Sequence, residues 1–172
     1  KIAGIKLCEA MRLQYGFDVI CAVPCNIYGP GDEKKSLVVP SMIRRFVNSK
    51  HKKEPYIKCW GTGKSTREFL HVEDLAKACL YLLENWNPSK TELNYINIGT
   101  GKETTIKELA TIIKKEARYE GEIRWDSNMP DGNPRKPLNV DRIKSMGWSE
   151  SISLKEGISR SITLIEKEML NN

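Results

Sequence analysis

Residues 19–30 read VICAVPCNIYGP. Five consecutive apolar residues, Val19 to Val23, predict a strand buried on both faces of a parallel sheet, because a half-exposed strand would alternate apolar and polar side chains. Pro24 ends the run, having no N–H to give to a sheet ladder. The NIYGP behind it reads as a loop at the strand's carboxyl end. In open parallel sheets, ligands bind at such ends.

Upstream of this strand, Lys1 to Tyr15 carries Ile2, Ile5, Leu7, Cys8, Met11 and Leu13 at near-helical spacing, and Gly16 is its stop signal. Downstream, Pro40 fits the first turn of a helix over about 39–49. Tyr56–Trp60 and Arg67–Val72 predict strands around the glycine turn GTGKS, and 72–84 an amphipathic helix. Asn94–Ile98 predicts a strand stopped by GTG. Thr105 and Glu108 form a capping box for a helix to about Ala117. A short strand at Glu122–Trp125, a loop at MPDGNPRKP and helices over 141–146 and 154–168 complete the chain. Alternating helix and buried strand means α/β.

The 172 residues suffice for a real core, and 40% hydrophobic with 29% charged residues describes an ordinary globule. The formal charge of +6 comes from singly scattered Lys and Arg without interleaved aromatics, which argues against a nucleic-acid groove. No apolar run approaches the ~20 residues of a membrane span. The chain opens without Met or a signal-peptide pattern and reads as a fragment. Five cysteines without a CxxC pair predict reduced core thiols in a cytoplasmic protein, and no metal site is expected with only two histidines.

Six motifs in order, PCNIYGPGD, VVPSMIRRF, WGTGKSTREFLHVEDLA, NIGTGKETTIKELA, PDGNPRK and MGW, together resemble the GDP-L-fucose synthase family of extended short-chain dehydrogenase/reductases. REFLHVEDLA and NIGTG mark the extended nucleotide-sugar superfamily at large, whereas VVPSMIRRF and PDGNPRK point to its GDP-sugar reductases. The resemblance implies the last part of a Rossmann-type NAD(P)-binding domain plus a smaller α/β substrate domain. Residues 1–28 would belong to the dinucleotide-binding domain and 29–172 mainly to the sugar-nucleotide domain, with 72–98 packing back on the Rossmann sheet. The catalytic tyrosine, four residues before Lys1, and about 130 residues of dinucleotide domain would lie upstream.

It further implies NADPH as cofactor, a GDP-linked 4-keto sugar as substrate and a homodimer formed through helices such as the one beginning at Lys1. Lys1 resembles the signature lysine that holds the nicotinamide ribose and lowers the pKa of the tyrosine, since a phenol near pKa 10 is a poor acid–base group at neutral pH. Pro24, Cys25, Asn26 and Ile27 resemble the segment beside the nicotinamide and the sugar, with Asn26 suited to hold a hydroxyl. Arg45 and Arg67 resemble the guanidinium groups that grip the substrate diphosphate two bonds at a time, and the two are expected to converge on one hollow. Trp60 resembles the nucleotide-packing tryptophan and Lys136 the residue that closes over the nucleotide. Val38 and Met42 would line the pocket or else serve the core. Arg44 points elsewhere, and His71 is structural.

One position departs from the family. Epimerisation at C3 and C5 needs a histidine just before the Val-x-Pro helix, and Leu37 stands there. The loop before it is also shorter than the family's. Either the enzyme keeps only the C4 reduction, or another donor such as Lys35 or His51 swings in and the enzyme is fully bifunctional. A nucleotide-sugar-binding subunit without catalysis is the further alternative.

Overall fold

The computed structural model describes residues 1–30, 37–89 and 94–170, with Leu170 by its backbone alone. The chain runs α1 (Ile2–Tyr15), β1 (Cys21–Pro24), β2 (Asn26–Tyr28), α2 (Val38–His51), β3 (Tyr56–Trp60), β4 (Thr66–His71), α3 (Val72–Asn85), β5 (Tyr95–Ile98), β6 (Glu103–Thr105), α4 (Ile106–Glu116), β7 (Glu122–Asp126), α5 (Asp141–Ser145) and α6 (Leu154–Leu170). The predicted α/β class is what is found. Strands β1 and β5 pair in parallel, as do β3 and β7; β2 pairs in parallel with β4, whose other edge takes β6 antiparallel.

Local chemistry explains three of the helix boundaries. Gly16 adopts the left-handed conformation (φ 66°) and closes α1: its N–H donates to the Arg12 carbonyl and the following Phe17 N–H to the Met11 carbonyl. The capping box at Thr105 and Glu108 forms in both directions and starts α4. His71 Nδ1 accepts the Glu73 N–H at 3.3 Å and so caps α3.

Two expectations fail. NIYGP is not all loop: Asn26–Tyr28 is a strand whose partner, Phe69–His71, lies some forty residues on. Three residues carry no readable period, so only tertiary pairing makes this strand. β1 is also not buried on both faces, its side chains alternating between half-buried and exposed. Among the described residues it has one strand partner, and α1 lays no buried residue on it.

Among the described residues, two apolar clusters hold the fold together. The larger joins α2, α4 and α6 to β3 and the inner face of β4, around Ile43, Phe46, Leu109, Ile113 and Ile158. The smaller joins α3, β5 and α5 around Leu70, Leu82, Ile96, Ile143 and Trp148. Asp74 of α3 ties them: its buried carboxylate accepts the N–H groups of Ser151 (3.0 Å) and Ile152 (2.8 Å) and the Ser151 hydroxyl (2.6 Å) just before α6. All five cysteines are free thiols, but only Cys59 is buried. No described helix is long and apolar enough to cross a membrane.

Candidate functional site

The chain changes sheets twice at one level. β1 gives way to β2 across Cys25, whose N–H still donates to Ile98 of β5 (2.9 Å). β5 in turn passes through the Gly99–Gly101 turn to β6, on the edge of β4. Beside this crossover lies a cavity of about 220 Å³ walled by Asn26 of β2, Val38 at the start of α2, Trp60 at the end of β3 and Arg67 of β4. Pro130, Asp131 and Gly132 close its outer side. Whole-ligand pockets run from about 300 to 1,000 Å³, so this hollow suits one part of an extended ligand, such as a diphosphate.

Arg67 is held by one nitrogen. Its Nη1 donates to the carbonyls of Thr66 (2.6 Å) and Asn133 (2.7 Å), which fixes the guanidinium plane and leaves other N–H donors of the fork for a ligand. Asn26 Nδ2 donates to the Glu68 carbonyl (2.8 Å). That bond assigns the amide's orientation and makes Oδ1 the atom available to a sugar hydroxyl. Trp60 is 68% exposed at the cavity rim and offers an open indole face.

The outer wall is a strap stitched down along its length. Asp131 accepts the Thr62 N–H and hydroxyl, Pro134 accepts the Thr66 N–H (2.9 Å), and Arg135 forms a two-pronged pair with Glu103. Gly61 and Gly63 are both at positive φ; a Cβ on Gly61 would collide with the Asp131 carboxylate of the strap, and one on Gly63 with the Trp125 ring. The turn GTGKS needs its glycines for these two close approaches.

Four predicted residues thus meet at one cavity: Asn26, Val38, Trp60 and Arg67. Arg45 does not join them. Its guanidinium is bonded to the Lys58 carbonyl and lines a separate, open cavity with Asn48, Glu54 and Tyr56. The expected convergence of Arg45 and Arg67 on one hollow is therefore absent, because the Arg45 guanidinium is bonded to the Lys58 carbonyl of β3 instead. Met42 is buried in the larger apolar cluster and serves packing. Arg44 turns outward to Glu168 (3.3 Å). Lys136 is exposed on the strap beyond the cavity wall, and Lys1 is exposed at the start of α1. Pro24 is exposed at the carboxyl end of the β1–β5 pair, whereas Cys25 and Ile27 turn toward the smaller apolar cluster. The Cys25 thiol is pushed up to about 12, first by burial and then by the Glu68 charge, so at neutral pH it is a thiol and no base.

Leu37 is the residue before α2, 44% exposed and in extended conformation. Lys35 lies outside the described residues. His51 ends α2, about 20 Å along the helix axis from Leu37, too far to stand in for a residue at the other end. Sequence reasoning missed Glu68, Thr62 and Asp131. A buried glutamate between Arg67 and Phe69 has no signature in period or composition, while the Asp of PDG was readable only as a turn residue.

Residues 1–99 match the NAD dependent epimerase/dehydratase family. A probable GDP-L-fucose synthase of Oryza sativa subsp. japonica is 46% identical over 161 residues, covering 92% of this chain and 48% of the relative. A GDP-6-OMe-4-keto-L-xylo-heptose reductase of C. jejuni superposes with a TM-score of 0.86 at 30% identity, over 98% of this chain and 59% of that one. A GDP-mannoheptose C4 reductase from Campylobacter jejuni with NADP bound superposes at 0.82 with 32% identity, over 97% and 55%. The chain spans about half the length of the curated relatives it matches.

Proposed function

Because this chain belongs to the NAD dependent epimerase/dehydratase family, we propose that the protein it forms part of reduces C4 of a GDP-4-keto-6-deoxy sugar with NADPH. The observation that carries the reading is the cavity that brings Arg67, Asn26 and Trp60 together at a sheet crossover. Arg67 offers a fork pre-set for phosphate oxygens. Asn26 offers an acceptor for a sugar hydroxyl, and Trp60 a face for the base.

The cofactor fits at the β1 end, where exposed Pro24 tops a parallel strand pair, the usual place for a dinucleotide in open α/β sheets. Lys1, Pro24, Cys25, Asn26 and Ile27 would hold its nicotinamide end, and NADPH when bound supplies the hydride. Residues 1–28 would complete a dinucleotide-binding domain, and 29–172 mainly the sugar-nucleotide domain, with 72–98 returning to the first. Lys136 would reach the nucleotide from the strap, and Arg45 would do so only after releasing the Lys58 carbonyl. The exposed Ile2, Leu7 and Leu13 of α1 support burial against the remainder of that domain and a homodimer partner. Free thiols throughout support a cytoplasmic site.

Leu37 favours reduction without epimerisation, since leucine neither gives nor takes a proton. The test is to mix the full-length protein with NADPH and GDP-4-keto-6-deoxymannose in heavy water. NADPH oxidation with no deuterium at C3 or C5 is expected. Deuterium at either carbon would instead establish the bifunctional synthase, and no turnover despite GDP-sugar binding would establish a binding subunit.

A further inference from the structure

Glu68 is the one charged residue of β4 whose side chain is closed off from solvent, at 1% exposure. Its carboxylate is bonded away from Arg67, to the turn after β5 and to the far end of the strap whose residues 130–132 wall the cavity. Oε1 accepts the Gly101 N–H (2.7 Å) in the turn after β5, and Oε2 accepts the Leu138 N–H (3.4 Å) at the inner end of the strap. Its backbone carbonyl holds Asn26 Nδ2 (2.8 Å). Gly99 lies so close that a Cβ there would overlap the carboxylate. Among the described residues no cation pairs with Glu68. A buried carboxylate answered only by backbone N–H groups costs free energy that an apolar side chain would not.

We propose that Glu68 is a positioning residue: it sets the height of the strap over residues 130–138 against Arg67 and so tunes the grip on the nucleotide diphosphate. This rests on the reading of the Arg67 cavity as the diphosphate site. Glutamine at 68 keeps one acceptor, which the shorter Gly101 bond retains, and turns an N–H₂ toward the Leu138 N–H. The strap then loses its inner anchor. The Asn26 tie is to the backbone and survives, so the reacting end of the substrate stays oriented.

The test uses the full-length protein, with calorimetric GDP binding, steady-state kinetics and amide hydrogen exchange. Glu68→Gln is expected to weaken GDP binding and raise the sugar-nucleotide KM about tenfold with kcat held within about threefold. The Leu138 amide loses protection while Gly101 keeps it. Gly99→Ala, which displaces the carboxylate without removing its charge, is expected to give the same rise in KM and covers the case in which Glu68→Gln does not fold. Wild-type GDP affinity in the folded variants, or a kcat loss at constant KM, overturns the inference. If the wild-type protein binds no GDP, the functional reading falls, and exchange at Leu138 still decides: protection kept in Glu68→Gln overturns the clasp, protection lost supports it.

Discussion

The carboxylate of Asp131 takes both donors of Thr62, the backbone N–H at 2.8 Å and the hydroxyl at 2.5 Å, and so pins the PDGNP strap to the glycine turn behind β3. Asp131 is exposed and Thr62 half-buried, and their bond holds Asp131 in the wall of the cavity.

Asp131→Ala removes this pin. Substrate KM is expected to rise about three- to tenfold, with kcat and the melting temperature little changed, because the remaining strap bonds at Pro134 and Arg135 persist. The Thr62 hydroxyl, then its N–H, hold the Asp131 carboxyl below its usual value. A depressed folded pKa means that the pin is in place above the ordinary carboxylate range and weakens as pH falls through the folded value. Affinity for GDP measured down an acid series in wild type and Asp131→Ala checks this: the two curves should converge at low pH.

Asp74 offers a stability test. Burial would raise its carboxyl, but the hydrogen bonds from Ser151 and Ile152 outweigh burial and hold it low. Asp74→Ala leaves two backbone N–H groups before α6 without their acceptor and is expected to cost about 2–4 kcal/mol in denaturant unfolding. In wild type this contribution is present at neutral pH and lost as the medium is acidified through the folded pKa. A denaturant midpoint unchanged in Asp74→Ala would refute the clamp.

How much of this was legible beforehand depends on range along the chain. The α4 capping box and the Gly16 stop are local signals, and they read correctly because the groups that satisfy each other lie within six residues; Pro40 sits in the first turn of α2, where its missing N–H has no helical partner to lose. β2 and β6 were illegible, being three residues each and defined only by distant β4. At the site, motif resemblance found Asn26, Val38, Trp60 and Arg67, which share a cavity. It could not find that Arg45 spends its guanidinium on the Lys58 carbonyl, since a side chain's choice between backbone and ligand is set by geometry across α2 and β3.

That choice separates the two arginines experimentally. Arg67→Lys replaces a fixed fork with a single point charge and is expected to weaken GDP binding about tenfold or more. Arg45→Lys is expected to change it less than threefold, its loss falling on the α2–β3 contact. Calorimetry of GDP with both variants ranks them; equal losses would mean that Arg45 leaves Lys58 when the nucleotide arrives.

Cys25 stands at the sheet crossover, where a reactive thiol could pass for a catalytic one. Its folded pKa, pushed up to about 12, leaves very little thiolate at pH 8, whereas a free cysteine near pKa 8.5 is substantially ionised there. Iodoacetamide should therefore label Cys25 about a thousandfold more slowly than an exposed peptide thiol, as read by mass spectrometry of the Cys25 peptide over time. Unfolding in denaturant should erase the difference, because the cause is burial and the nearby Glu68 charge. Rapid labelling of Cys25 in the folded protein would show instead that this crossover is open to solvent and that its thiol is available for proton chemistry.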